Sequence, residues 1–154
     1  MNKVTPFLWY NGRIQEALDL YQTVFPNSRV LSANRGPDGD VQSATFELEG
    51  QQLFLFNGGP GQPFTPAFSL YVNCETQAEV DELWGKLIAG GGRENRCGWL
   101  EDRFGLSWQI IPAILPKLLS DPDREKAGRA INAMLQMGKI DVAKLERAAA
   151  GAAS

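Results

Sequence analysis

Phe68-Ser69-Leu70-Tyr71-Val72-Asn73, then Cys74-Glu75-Thr76, then Val80, Leu83, Trp84, Leu87 and Ile88 at three- and four-residue spacing, read as a strand, a helix cap and an amphipathic helix stopped by Gly90-Gly91-Gly92. The fold is decided by the chain having done this once before. Val4 to Tyr10 is an apolar run ended by the turn signal Asn11-Gly12. Ile14, Ala17, Leu18, Tyr21, Val24 and Phe25 then follow at helical spacing until Pro26-Asn27. Setting Asn11 against Asn73, 62 positions on, pairs Leu18 with Val80, Tyr21 with Leu83 and Phe25 with Leu87.

Each strand–helix pair leads into more strands. After the first come Ser28 to Ala33, the loop Gly36-Pro37-Asp38-Gly39, and a strand in which Ala44, Phe46 and Leu48 alternate with Thr45, Glu47 and Glu49. Gly50-Gln51 then turns the chain into Leu53 to Phe56. After the second come Trp99-Leu100-Glu101, the turn Asp102-Arg103-Phe104-Gly105, and Leu106 to Ile111 closed by Pro112. The expected fold is α+β, with two βαβββ modules over 1–57 and 67–112, a Gly/Pro-rich linker over 58–66, and a helical extension over 113–154. Within the extension, Asp121-Pro122 starts a helix with Ala130, Met134 and Met137 on one face, and Val142 starts a shorter one. The alanine-rich end, 148–154, is expected to fray.

The chain has 154 residues, 15 Lys+Arg against 18 Asp+Glu, 44% hydrophobic residues and no histidine. The missing imidazole excludes Ser-His-Asp and Cys-His catalysis, histidine-dependent zinc sites and the 2-His-1-carboxylate iron triad. A net charge of −3 argues against a nucleic-acid partner held by phosphate contacts. Cys74 and Cys97 are too few and too far apart for a disulfide framework or a CxxC motif. The N-terminus lacks an apolar signal core, and no apolar run approaches the ~20 residues that cross a bilayer. A reduced cytoplasmic protein without a membrane partner is expected.

Three stretches carry a resemblance. They are Thr5-Pro6-Phe7-Leu8-Trp9-Tyr10-Asn11-Gly12 with Glu16-Ala17 and Tyr21; Ser69-Leu70-Tyr71-Val72-Asn73-Cys74-Glu75-Thr76; and Cys97-Gly98-Trp99-Leu100-Glu101-Asp102-Arg103-Phe104-Gly105-Leu106-Ser107-Trp108-Gln109. With the doubled element order, they resemble the vicinal oxygen chelate superfamily of glyoxalase I, bleomycin-resistance proteins and extradiol dioxygenases. Within it they resemble the PhnB-like branch labelled 3-demethylubiquinone-9 3-methyltransferase. The resemblance implies curled four-stranded sheets around a cavity and, in metal-dependent members, one ligand on each of four strands. Those positions fall near Pro6, Leu53, Ala67 and Gln109. Only Gln109 offers an oxygen, so no metal and no cofactor are expected. The methyltransferase label gains little, because Gly58-Gly59-Pro60-Gly61 leads into no helix as a nucleotide-binding turn would.

The strands carry many of the fifteen aromatics, among them Trp9, Tyr10, Phe54, Phe56, Tyr71, Trp99 and Trp108. They read either as core or as the walls of a cavity for a flat or apolar small molecule. If the four superseded ligand positions face inward, so do their alternate neighbours. Tyr10, Asn57, Ser69, Tyr71 and Gln109 are then the polar groups that orient a ligand. No catalytic residue stands out. Glu47, Glu49, Glu101 and Asp102 read as solvent-facing or turn carboxylates, and Cys74 and Cys97 as inert thiols. A metal-free small-molecule-binding protein is the first expectation. An isomerase, lyase or transferase of the same fold is the second, and a dimeric scaffold with a partner-binding tail the third. Open sheet edges point to a homodimer.

Overall fold

A computed structural model describes residues 2–152. The chain divides into two compact units, Met1–Phe64 and Thr65–Ser154.

The first unit is a four-stranded sheet of β1 (Phe7–Tyr10), β2 (Ser28–Arg35), β3 (Val41–Leu48) and β4 (Gln51–Asn57), with α1 (Ile14–Val24) between β1 and β2. The order is β1-β4-β3-β2; β1 runs parallel to β4 and the other pairs are antiparallel. The β3–β4 hairpin closes on Glu49 and Gly50 at φ 48° and 84°, the left-handed pair that a tight hairpin with right-twisted strands requires. In α1 the stripe of Ile14, Ala17, Leu18, Tyr21 and Val24 is buried throughout. No side chain caps its start; Arg13 is left-handed there and its carbonyl accepts the Ala17 N–H at 2.9 Å. The entry turn is held from β4, where Asn57 Oδ1 accepts the Gly12 N–H at 2.8 Å. Leu8, Tyr10, Phe46, Leu53 and Leu55 form the buried row, and the Tyr10 hydroxyl lies 3.0 Å from that of Tyr21 on α1.

The second unit repeats this plan with β5 (Ser69–Cys74), α2 (Gln77–Ile88), β6 (Arg93–Glu94), β7 (Trp99–Glu101) and β8 (Ser107–Pro112) in the order β5-β8-β7-β6, with β5 parallel to β8. Thr76 caps α2 by accepting the Glu79 N–H, as its position before an apolar stripe leads one to expect. The two-residue β6 is too short to leave a periodic signal.

The helical extension belongs to this second unit. It holds α3 (Ile114–Leu119), α4 (Arg124–Leu135) and α5 (Val142–Ala149). α3 has no counterpart in the sequence reading. The N-cap of α4 is Asp123, not Asp121; Asp123 accepts the Glu125 and Lys126 N–H groups, while Asp121 accepts the Asp123 N–H. Ile111, Leu115, Leu118, Ala130, Ile140 and Leu145 form the core of this region, so the extension is continuous with the end of β8. Gln77 of α2 clasps it, donating to the Ile140 carbonyl and accepting the Val142 N–H at 2.9 and 2.8 Å. Hydrogen bonds from Lys139 and Gln77 hold the Asp81 carboxyl below its usual range. Arg129 closes α5 by donating to the Ala149 carbonyl at 2.6 Å, a cation at the negative end of a helix. Ala153 and Ser154, within the stretch expected to fray, lie outside the described residues. Among the described residues no helix is long and apolar enough to cross a membrane.

Candidate functional site

Strand alternation divides the five candidate polar groups. In β5 and β8 the register pairs Ser69 with Ser107, Tyr71 with Gln109 and Asn73 with Ile111, and Trp99 of β7 sits opposite Gln109. Residues two apart share a face, so Ser69, Tyr71, Ser107, Gln109 and Trp99 stand on one side of the sheet. Leu70, Trp108 and Ile110 stand on the other, with Trp108 and Ile110 in the core. Gln109 Nε2 donates to Ser69 Oγ at 3.0 Å. Ser107 Oγ is buried and has no hydrogen-bond partner among the described residues. Tyr71 is 49% exposed, and partial burial raises its phenol above the ordinary value, so it stays protonated at neutral pH.

Tyr10 and Asn57 are differently placed. Tyr10 lies in the buried row beneath α1, 2% exposed, because the α1-facing residues of β1 are Leu8 and Tyr10. The opposite face carries Phe7, Trp9, Phe54 and Phe56, with Phe7 and Trp9 ring centroids 5.4 and 5.3 Å from that of Phe56. Trp9 Nε1 donates to the Gly59 carbonyl, and its indole occupies the space that a Cβ on Gly58 would fill. Asn57 spends its side-chain oxygen on the backbone N–H groups of Gly12 and Gly59. The expectation that Tyr10 faces the same way as Tyr71 is therefore corrected. Asn57 acts as a backbone clasp.

In the second unit the polar row opens into a cleft of about 240 Å³. Its floor is Tyr71, Trp99, Gln109 and Ile111, with Cys97 at the edge. Its wall comes from the extension: Leu115, Pro116 and Leu119 around α3, and Met134 of α4. None of these nine residues is Asp, Glu, Lys or Arg. Sequence reasoning reached Tyr71 and Gln109 through the strand pattern and missed the wall. The signal available was Met134, already on an apolar helix face; the site it faces was not legible.

The cysteines separate. Cys74 is buried beside the α2 N-terminus, yet burial and the carboxylates of Glu79 and Glu75 push its thiol up to about 12. Cys97 is partly exposed. Iodoacetamide at neutral pH is expected to label Cys97 in the folded protein and to leave Cys74 intact. Peptide mass mapping reads this, and labelling of Cys74 at the rate seen in denaturant would contradict it.

A pair of βαβββ sheets, each with one face under a helix, is the glyoxalase-like, or vicinal oxygen chelate, fold. The chain belongs to the 3-demethylubiquinone-9 3-methyltransferase, or PhnB-like, family, whose model matches residues 2–111. A Bacillus cereus PhnB protein bearing the same family name is 35% identical, with a TM-score of 0.67, over 73% of this chain and all of that one. The protein PA1353 from Pseudomonas aeruginosa (21% identity, TM-score 0.57, 73% and 98% covered) shares the fold. So does the fosfomycin resistance protein FosX from Listeria monocytogenes (14%, 0.54, 73% and 93%). No curated protein matches the chain.

The groups that this kinship implies do not fit these residues. Of the four positions carried over for metal ligands, Leu53 is in the core beneath α1, and Pro6, Ala67 and Gln109 supply at most one neutral carbonyl oxygen. Among the described residues no group of three or more His, Cys, Asp or Glu could hold a metal ion. S-adenosylmethionine, a nucleoside bearing a sulfonium cation, finds no carboxylate in the cleft and no parallel nucleotide-binding sheet in either unit.

Proposed function

We propose that this PhnB-like protein binds a small, uncharged, largely apolar molecule, with a flat ring as its body, in the cleft on β5, β7 and β8. The observation that carries the reading is the chemistry of the lining: nine residues without a formally charged side chain, with Tyr71 and Gln109 supplying its phenol and its amide. Burying an anion there without a counter-charge costs several kcal/mol, about what a shallow apolar cleft returns. A neutral ring stacks against Trp99 and Tyr71 and directs one hydroxyl or carbonyl to Gln109 or Tyr71. Ser69 acts at one remove, orienting the Gln109 amide. The unpartnered Ser107 hydroxyl leaves a further polar position on the same face. No carboxylate, amine or imidazole lines the cleft, which favours binding over proton-transfer chemistry.

The test uses isothermal titration with 2-naphthol and its anionic counterpart 2-naphthoate at pH 7. The naphthol is expected to bind at least about tenfold more tightly. Tyr71→Ala and Gln109→Ala are each expected to weaken naphthol binding by about tenfold. Equal affinity for the two probes, or full binding in both variants, would refute the assignment. A homodimer in the cytoplasm completes the proposal. It is supported by the unpaired sheet edges at β1, β2, β5 and β6 and by two free thiols suited to a reducing compartment. Light scattering at micromolar concentration checks the assembly, and a monomer mass would count against it.

A further inference from the structure

The family match ends at residue 111, yet the cleft does not. Leu115, Pro116, Leu119 and Met134 all lie beyond it, and together they make one side of the site whose floor is the family's own sheet. We propose that α3 and α4 set the size limit on the ligand, with Leu119 and Met134 as the specificity-determining side chains. This rests on the binding function proposed above and adds to it the group that chooses among uncharged rings.

The physical case has two parts. The wall is held in a defined position. Cys97 and Gly98, in the turn that enters the floor strand β7, donate their backbone N–H groups to the carbonyls of Met137 and Gly138 at 2.8 Å each. These carbonyls follow α4 directly, so the helix carrying Met134 is tied by main-chain bonds to the strand carrying Trp99. Two residues later the side-chain amide of Gln77 ties the same segment to α2, at the Ile140 carbonyl and the Val142 N–H. A wall anchored at both places keeps its distance from the floor, and a cleft of fixed width rejects larger rings.

The second part concerns which wall residues are adjustable. Leu115 is in the core and holds α3 in place. Leu119 and Met134 are only partly buried, packed at the margin of that core with one side toward the cleft. Shortening either removes atoms from the cleft while the helix remains anchored. Met134 has an unbranched side chain that fills the wall side of the cleft between the anchored helix and the floor, so its length sets how much of the cleft remains for a ring.

The experiment compares affinities of 2-naphthol and the bulkier uncharged 1-hydroxypyrene for the full chain by titration calorimetry. Wild type is expected to favour the naphthol. Met134→Ala is expected to shift the ratio of the two dissociation constants toward hydroxypyrene by about tenfold, and Leu119→Ala in the same direction. Met134→Trp is expected to weaken both probes. A thermal melt of each variant certifies folding, and Leu119→Ala serves if Met134→Ala is lost. An unchanged ratio in folded variants that still depend on Tyr71 would overturn the wall assignment and leave the binding site standing. Failure of both probes to bind wild type would remove the site and, with it, the wall.

Discussion

Asp102→Ala is expected to lower the free energy of unfolding by about 4 kcal/mol, an unusually large effect for the loss of one carboxylate. Asp102 is 2% exposed and sits at the start of the β7–β8 turn. Its Oδ1 accepts the Phe104 N–H at 2.9 Å and the Leu106 N–H at 3.1 Å; its Oδ2 accepts the Trp108 indole N–H at 2.9 Å. Alanine leaves the Leu106 and Trp108 donors buried without that acceptor, at about 1–3 kcal/mol each, and Trp108 is at the centre of the second unit's core. Asp102→Asn keeps one accepting oxygen but turns an NH₂ group toward an N–H donor, so it is expected to recover only part of the loss. Urea unfolding measures both. An alanine variant within about 1 kcal/mol of wild type would show that the turn closes without the carboxylate.

Gly98→Ala is expected to cost about 3 kcal/mol, from two causes that can be separated. The backbone at Gly98 has φ 84°, which an L side chain adopts at about 1–2 kcal/mol. A Cβ there would also lie 2.7 Å from Ile111 Cδ1, 3.1 Å from Ile140 Cγ1 and 3.2 Å from the Ile110 carbonyl oxygen. Overpacking of that kind adds about 1–3 kcal/mol. Gly105→Ala is the control: φ is 87°, and nothing lies within 4 Å of its Cβ position, so only the backbone penalty applies. The difference between the two variants in urea therefore reads the packing term. Because Gly98 also joins the turn to Gly138, its replacement is further expected to loosen the extension; faster amide exchange across α4 and α5 than in Gly105→Ala would report that. Equal losses in the two variants would mean that Ile111 and Ile140 move aside freely.

The contrast between Tyr71 and Tyr10 explains how far the sequence could be read. β1 is Phe7-Leu8-Trp9-Tyr10, apolar in both alternating rows, so its pattern does not say which row lies beneath α1. The 62-residue offset between the modules does hold that information, since it sets Trp9, not Tyr10, against Tyr71. Trp9 and Tyr71 do occupy the same sheet face in their respective units, away from the helix. In β3, by contrast, Ala44, Phe46 and Leu48 alternate with polar residues, and the buried row can be named from sequence alone.

What this sequence determined by itself is local and periodic. The helical stripes of α1 and α2, the Thr76 cap, the Asp102 to Gly105 turn and the doubled element order follow from side-chain spacing and turn chemistry, which act over a few residues. The absence of imidazole narrows the chemistry without any structure. What only the tertiary structure decided is which residues, remote in sequence, share a surface: Tyr71, Trp99 and Gln109 meeting Leu119 and Met134, and Asn57 holding the turn at Gly12. The physical reason is that a strand's open face and a helix's docking position are set by burial and hydrogen bonding across the whole unit. Gly98 with its backbone N–H and Gln77 with its side-chain amide both grip main-chain groups of the extension, and so leave no mark in the pattern of the residues they hold.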